Sequence, residues 1–256
     1  MQTQARMSLG GAEVNYRLLI QYDGTRYDGW QRQKTTGNTI QGKIEDVLSR
    51  MTGADVEIKG ASRTDAGVHA RGQAANVHLP KGYSENGIRD YLNQYLPEDI
   101  GVLEVKEVSD RFHSRLNAGE KTYMYRISTD TVKNVFERKY IYDLNQPLDI
   151  EAMERAAEYL TGEHDFQSFC ARRMKKSTIR TLNQIKFRQR HGELEITYCG
   201  SGFLYNMVRI LTGTLIEVGL HERTPESVKA MLEAKERIKA GHTAPAKGLC
   251  LIKIKF

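Results

Sequence analysis

The sequence has few of the residues that would indicate a zinc protein, a disulfide-stabilised protein or a membrane protein. Its three cysteines, Cys170, Cys199 and Cys250, are far apart and show no Cys-x-x-Cys or Cys-His spacing, which argues against a zinc site and a disulfide framework. No segment approaches about eighteen uninterrupted apolar residues, and the N-terminus lacks the apolar core of a signal peptide. These absences predict a soluble protein of a reducing compartment, the cytoplasm, with no membrane partner.

Metal-binding and cofactor-binding motifs are missing as well. The seven histidines show no His-Glu-x-x-His or other paired-ligand spacing, and there is no glycine-rich dinucleotide-binding motif. The sequence therefore predicts an activity that needs no metal and no cofactor.

The charge balance permits a nucleic-acid partner without requiring one. Lysine and arginine number 38 against 32 aspartates and glutamates, which gives a formal net charge of +6. A positive long-range field attracts polyanions, but many basic proteins bind no nucleic acid. Apolar residues at 39% and charged residues at 27% are typical of a folded chain rather than a disordered one.

The N-terminal half shows the order strand, helix, strand, strand, helix, strand. Alternating apolar residues predict a first strand over Val14 to Tyr22, and apolar residues at helical spacing predict helices over Thr39 to Met51 and Ser84 to Leu96. The other predicted strands are 56–60, 73–79 and 100–108. This order is the split β-α-β arrangement of ferredoxin-like folds, which RNA-recognition modules also use.

The C-terminal half repeats the scheme loosely. Its predicted strands are 121–128, 181–190, 193–199 and 248–256, and its predicted helices are 150–160, 203–218 and 225–239. The polar stretch Asn117 to Glu120 separates the halves, so we predict a flexible tail over 1–13, an α/β domain over 14–116 and an α/β domain over 117–256. The predicted fold is α+β: two ferredoxin-like, RRM-like halves form one continuous mixed, mainly antiparallel sheet, with helices on one side and a central cleft for a ligand.

One predicted loop carries an unusual concentration of functional side chains. The segment Ala61 to Ala70 holds Arg63, Asp65 and His69 around small residues, and small residues beside a carboxylate allow close approach by a large ligand. A structural interpretation competes with this, because threonine and aspartate commonly cap turns through side-chain hydrogen bonds. From the residues alone both interpretations stay open.

The segment Arg63-Thr-Asp-Ala-Gly-Val-His-Ala70 resembles the signature of the TruA family of tRNA pseudouridine synthases. Further matches lie along almost the whole chain: Gly29-Trp-Gln-Arg-Gln33 followed by Thr39-Ile-Gln41, Gly162-Glu-His-Asp-Phe166, Gly202-Phe-Leu-Tyr-Asn-Met-Val-Arg209 and Ala244-Pro-Ala-Lys-Gly-Leu249. The resemblance implies an isomerase that converts uridine to pseudouridine at nucleotides 38, 39 and 40 of the tRNA anticodon stem-loop, and a homodimer. Such an isomerisation gains and loses no atoms, which agrees with the missing cofactor motifs.

The resemblance also implies roles for individual residues. Asp65 is the covalent nucleophile, which attacks either the sugar C1′ or the uracil C6. Arg209 pairs with Asp65 across the cleft, and Tyr123 stacks on the target uracil with its hydroxyl placed to assist proton removal from C5. The competing interpretations are a solvated surface arginine for Arg209 and ordinary core packing for Tyr123.

Several further residues are candidates for RNA binding. Arg63 lies two residues before Asp65 and is expected to contact phosphate or to fill the space left by a flipped base. Leu249 either packs on the same base or lies in the core. The cationic run that includes Arg172, Arg173 and Lys175 would offset the cost of extruding a paired nucleotide, although a charge run is usually a solvated face.

The chain also departs from the family pattern. Ser62 stands where the family usually has glycine, Tyr27-Asp28 replaces the common Phe-His, and Cys250 replaces an aromatic residue. These differences leave open a paralogous enzyme that acts on ribosomal RNA. A non-catalytic RRM-like RNA-binding protein and a glycoside hydrolase are two further interpretations, but the RNP1 pattern and a second candidate carboxylate are both missing.

Overall fold

A computed structural model of the protein describes residues 12–256. The flexible tail predicted over residues 1–13 lies outside the described residues except for its last two positions. Glu13 is already the first residue of strand β1.

The N-terminal half contains four strands and two α-helices in the predicted order. They are β1 (Glu13–Tyr22), α1 (Ile40–Thr52), β2 (Lys59–Gly60), β3 (His69–Pro80), α2 (Glu85–Tyr95) and β4 (Ile100–Val108). The side chain of Thr39 caps α1 by accepting a hydrogen bond from the Gly42 backbone N–H, and α1 ends at Gly53, whose φ of 72° suits glycine. Ser84 caps α2 in the same way.

The C-terminal half contains six strands and three α-helices. They are β5 (Glu120–Ser128), β6 (Tyr142–Asp143), α3 (Ile150–Glu158), β7 (Gly162–Asp165), β8 (Ile179–Arg190), β9 (Glu193–Gly200), α4 (Met207–Gly219), α5 (Ser227–Ala234) and β10 (Leu249–Lys255). Two predicted helices are shorter than expected, because Asn206 and Lys235 adopt left-handed backbone conformations that delay the start of α4 and end α5. The short strands β6 and β7 were not predicted.

The ten strands form one sheet in the order β4-β1-β3-β10-β5-β9-β8-β7, with β2 beside β3 and β6 beside β5. The N-terminal half has the order β4-β1-β3-β2, and the C-terminal half has the equivalent order β10-β5-β9-β8. Each is the strand order of a ferredoxin-like unit. All pairs are antiparallel except β3 with β10 and β5 with β6, so the predicted mixed, mainly antiparallel continuous sheet is confirmed.

The two halves join where β10 runs parallel to β3. Cys250 lies opposite His69, and Leu251 lies opposite Ala70. The same edge of β3 pairs with β2 further along, where Gly60 faces Ala75. β10 and β2 therefore pair with successive stretches of one edge of β3, and the loop between β2 and β3 lies near the point where these stretches meet.

One hydrophobic core continues through both halves. It includes the buried side chains of Leu18 and Ile20 on β1, Ile44 on α1, and Ile196 and Leu215 from the C-terminal half. Because the core is shared, the division into domains at residues 116 and 117 stays a prediction. In the described part of the chain, no helix is long and apolar enough to cross a membrane.

Glycine at position 72 is required by the junction between the halves. A Cβ atom at Gly72 would lie 2.4 Å from the backbone oxygen of Ile252 on β10. We predict that Gly72→Ala lowers the free energy of unfolding by about 1–3 kcal/mol, because the strands must move apart. Denaturant unfolding followed by circular dichroism measures this. The control is Gly37→Ala, since a Cβ at Gly37 meets nothing within 4 Å; equal stability of the two variants would contradict the prediction.

Candidate active site

The loop of residues 61–68 between β2 and β3, named the catalytic loop because it carries the candidate nucleophile Asp65, is fixed from several sides. The Trp30 backbone N–H donates to the Thr64 carbonyl at 3.0 Å, and the hydroxyls of Tyr22 and Thr64 are 2.8 Å apart. The Gln73 amide donates to the Ser62 carbonyl at 2.8 Å. Gly29 permits this close packing, since a Cβ there would lie 2.8 Å from the Thr64 carbonyl oxygen. Asp65 is thus presented by a loop with a defined backbone.

Asp65 and Arg209, which come from opposite halves of the chain, meet at the junction between the halves. Arg209 Nη1 lies 3.8 Å from Asp65 Oδ2, and each side chain is 18% exposed. The separation exceeds hydrogen-bonding distance, so the contact is electrostatic. Arg209 is held in place because its Nε donates to the Ala244 carbonyl at 2.7 Å and its Nη1 to Asn206 Oδ1 at 3.3 Å.

Burial and charge act in opposite directions on Asp65. Burial raises the pKa of the Asp65 carboxyl above its ordinary value, and the positive charges of Arg209 and Arg172 only partly oppose this effect. Loss of hydration makes a carboxylate a stronger nucleophile, and the fixed cations favour the ionised form that can attack. This environment suits a covalent role.

Tyr123 lies beside the same loop. Its hydroxyl is 2.7 Å from the Ser62 hydroxyl, and its ring meets Phe203 edge to face with centroids 5.1 Å apart. Burial raises the pKa of the Tyr123 phenol to about 12, and the Ser62 hydrogen bond opposes this only in part. The phenol is therefore neutral at physiological pH. Its nearness to Asp65 also contributes to the higher pKa.

The predicted RNA-contacting residues occupy different environments. Arg63 is exposed at the surface of the catalytic loop. The Arg172 guanidinium stacks over the Tyr205 ring at 3.8 Å from its centroid, and its charge acts on Asp65. Arg173 and Lys175 are both exposed, and among the described residues neither makes an interaction that places it at the site.

Leu249 lies in the hydrophobic core with only 5% of its surface exposed. It begins β10 opposite Tyr125, whereas Leu251 lies opposite Tyr123. Leu249 is therefore packed in the core, which was one of the two interpretations from the sequence. Contact with a bound base stays a prediction.

Three residues at the site were not predicted: Ser62, Gln73 and Lys121. In the sequence Ser62 stands out only as a departure from the family pattern, yet its hydroxyl is the hydrogen-bond partner of Tyr123. The Lys121 amine donates to the Ala61 carbonyl at 2.7 Å, and the two-residue spacing from Tyr123 could have indicated a shared strand face. Gln73 contacts Ser62 because the chain folds back between these two residues, and the sequence does not reveal this contact.

The described residues 12–256 contain no group of three or more His, Cys, Asp or Glu side chains that could hold a metal ion. The chemistry available at the site consists of a carboxylate, a guanidinium and a phenol. These groups can supply a nucleophile, electrostatic stabilisation and a proton-transferring hydroxyl.

Comparison with known proteins agrees with this geometry. The tRNA pseudouridine synthase family model matches residues 18–117 and 156–256. A tRNA pseudouridine synthase A of Bacillus sp. strain KSM-64 is 52% identical over 94% of this chain and 99% of its own. The proteins called tRNA pseudouridine synthase A 2 of Bacillus anthracis and tRNA pseudouridine synthase A 1 of Clostridium tetani are each 47% identical, with the same coverage.

Among solved structures, a chain in the crystal structure of a Cbf5-Nop10-Gar1 complex aligns with 92% of this chain and 48% of its own, at 11% identity and a TM-score of 0.38. That similarity is too distant to support a conclusion. The family model and the relatives, in contrast, cover most of the chain at high identity. The resemblance seen in the sequence motifs is confirmed: this chain belongs to the tRNA pseudouridine synthase family of isomerases.

Proposed function

We propose that the protein converts uridine to pseudouridine in tRNA, in the cytoplasm, at nucleotides 38, 39 and 40 of the anticodon stem-loop, with Asp65 as nucleophile. The observation that carries the proposal is the ion pair between Asp65 and Arg209. Each residue lies in a different segment matched by the family model. Tyr123 falls between those segments, so its role is supported by its position beside Ser62 and by the motif resemblance.

The reaction conserves every atom of the nucleotide. The N1–C1′ bond breaks, the uracil turns, and a C5–C1′ bond forms, after which C5 loses its proton and N1 gains one. The Asp65 carboxylate attacks C1′ or C6, and the covalent bond retains one fragment while the uracil turns. The carboxylate is released when the new bond has formed, so no oxidant or reductant is consumed.

Arg209 keeps the Asp65 carboxylate ionised as the substrate enters. A bound uridine displaces water and increases the desolvation that already raises the pKa of Asp65. The attraction between the two charges becomes stronger in the drier site. The ion pair therefore stabilises the charged carboxylate most strongly at the step in which Asp65 must be ionised to attack.

Tyr123 provides a flat ring and a hydroxyl next to Asp65. Aromatic stacking holds bases that have left a helix, and we propose that the phenol oxygen assists removal of the proton from C5. The Ser62 hydroxyl, 2.7 Å away, fixes the orientation of the phenol.

The relatives' names favour tRNA over ribosomal RNA. Clostridium tetani has two proteins, called tRNA pseudouridine synthase A 1 and A 2, that are 47% and 45% identical to this chain. Their similar identities do not assign this chain to either type. Mapping pseudouridines in total RNA, with and without the protein, tests the choice: modified sites confined to ribosomal RNA would contradict the proposed substrate.

We further propose that the protein works as a homodimer. The loop after β5 exposes three apolar side chains, Val132 at 74%, Val135 at 57% and Phe136 at 87%, and a second subunit is one means of covering such a surface. We expect light scattering at micromolar concentration to give the mass of a dimer. Phe136→Glu is expected to weaken the association of the two subunits. A monomeric parent protein would contradict the proposal.

The role of Asp65 is tested by Asp65→Ala. We expect this variant to bind tRNA and to release no tritium from tRNA labelled with [5-³H]uridine, because the nucleophile is missing. Asp110→Ala removes an exposed carboxylate in the turn after β4 and is expected to remain active. An active Asp65→Ala variant would remove Asp65 from the mechanism.

The hydroxyl of Tyr123 is tested by Tyr123→Phe, which keeps the ring. We expect the single-turnover rate to fall by about 10²–10⁴-fold, the range for loss of a proton-transfer group, with little change in RNA affinity. Tyr125→Phe is the matched control, because it removes a hydroxyl two residues away that donates to the Pro245 carbonyl. Equal rates for the two variants would show that the Tyr123 hydroxyl has no chemical role.

A further inference from the structure

Four cationic side chains from four different segments are connected by electrostatic interactions that centre on Lys121, two residues before Tyr123 on β5. We refer to Arg63 in the catalytic loop, Arg115 between β4 and β5, Lys121 on β5 and Arg180 on β8 as the Lys121 cluster. The charges of Arg115 and Arg180 both lower the pKa of Lys121, and the charge of Arg115 lowers that of Arg63. Lys121 therefore repels both Arg115 and Arg180, and Arg115 also repels Arg63. The sheet brings Lys121 near the start of β8 as well, because Lys121 and Leu182 both lie opposite Gly200 on β9.

The amine of Lys121 is the most deeply placed member of the cluster. It donates to the Ala61 carbonyl at 2.7 Å, and burial, followed by the charges of Arg115 and Arg180, lowers its pKa to about 8. A partly buried ammonium with two cationic neighbours is unfavourable in the free protein. A bound anion would offset the repulsion and favour the charged form of Lys121.

No carboxylate within residues 12–256 forms an ion pair with any member of the cluster. Glu120 adjoins Lys121 in sequence, but alternation along β5 directs the two side chains to opposite faces. Glu120 is occupied by Lys255 at 2.6 Å and by the Asn183 amide at 2.8 Å. The cluster thus combines convergent positive charge with no internal anion.

The cluster adjoins the place where the reactive base is expected. Lys121 and Tyr123 lie on one face of β5, about 7 Å apart along the strand. Arginine guanidinium groups match the oxygens of a phosphate by paired hydrogen bonds, and a lysine ammonium adds a compact charge. We propose that the Lys121 cluster binds a phosphodiester group of the substrate RNA next to the uridine being isomerised, an inference that rests on the proposed function.

Binding at this position would also act on the catalytic loop. Lys121 contacts the loop through Ala61, and Arg63 belongs to it two residues before Asp65. A phosphate held by both side chains fixes the start of the loop relative to β5. Binding energy from the RNA backbone is then used to orient the nucleophile.

The first test measures charge neutralisation with Arg115→Gln, chosen because Arg115 is exposed and its replacement leaves the core unchanged. We expect weaker binding of a tRNA anticodon stem-loop, and a slope of log Kd against log salt that is smaller by about one unit. Arg190→Gln is the matched control, because Arg190 is exposed at the far end of β8. Equal salt slopes for the Arg115 and Arg190 variants would overturn the proposal.

The second test locates the phosphate. Each phosphate around the target uridine is replaced in turn by a neutral methylphosphonate, and binding is measured with the parent protein, Arg115→Gln and Lys121→Gln. One replacement is expected to weaken binding of the parent protein but to have little further effect on either variant, which is the signature of a direct contact in a double-mutant cycle. Independent, additive losses at every position would overturn the proposal.

An activity measurement on the same stem-loop distinguishes failure of this inference from failure of the proposed function. Pseudouridine formation by the parent protein is measured on the unmodified stem-loop. Coupling at one phosphate without product would support the anion site and contradict the proposed activity. Product without coupling at any phosphate would support the activity and overturn the anion site. A slower Lys121→Gln variant with an unchanged salt slope would likewise overturn it, since Lys121 would then only support the loop.

Discussion

The parallel pairing of β10 with β3 is the constraint on which the site depends. It is short, with Cys250 opposite His69 and Leu251 opposite Ala70, but it converts two ferredoxin-like units into one sheet. It also places β5, which pairs with β10, within reach of the loop that enters β3. Without this junction, Asp65 would not be assembled with Tyr123 and Arg209.

The site balances two opposing physical effects. Burial makes the Asp65 carboxylate harder to ionise, while Arg209 and Arg172 favour its charge. The 3.8 Å separation from Arg209 leaves the carboxylate oxygen without a direct hydrogen bond from that group. In the proposed mechanism, the cation stabilises the charge without occupying the lone pairs that the carboxylate would use for attack.

Local patterns predicted much of the fold because they depend on neighbouring residues. The alternation in β1, the Thr39 cap of α1 and the glycine that ends this helix are encoded within a few positions. The predicted start of α4 and the predicted end of α5 were wrong because they depend on left-handed conformations at Asn206 and Lys235, which the sequence pattern did not indicate. The motif resemblance selected Asp65, Tyr123 and Arg209 as candidate site residues, which the residue pattern alone had left ambiguous, and their catalytic roles stay predictions.

The sequence by itself determined the family, the order of the elements and the candidate nucleophile Asp65, because motifs and periodicity are properties of contiguous residues. Only the tertiary structure brought together Ser62 and Tyr123, which are 61 positions apart, and the four cations of the Lys121 cluster. Their meeting follows from strand order and register, which set distances between remote segments. Such distances, and the burial and charge effects that vary with them, are established only when the sheet has formed.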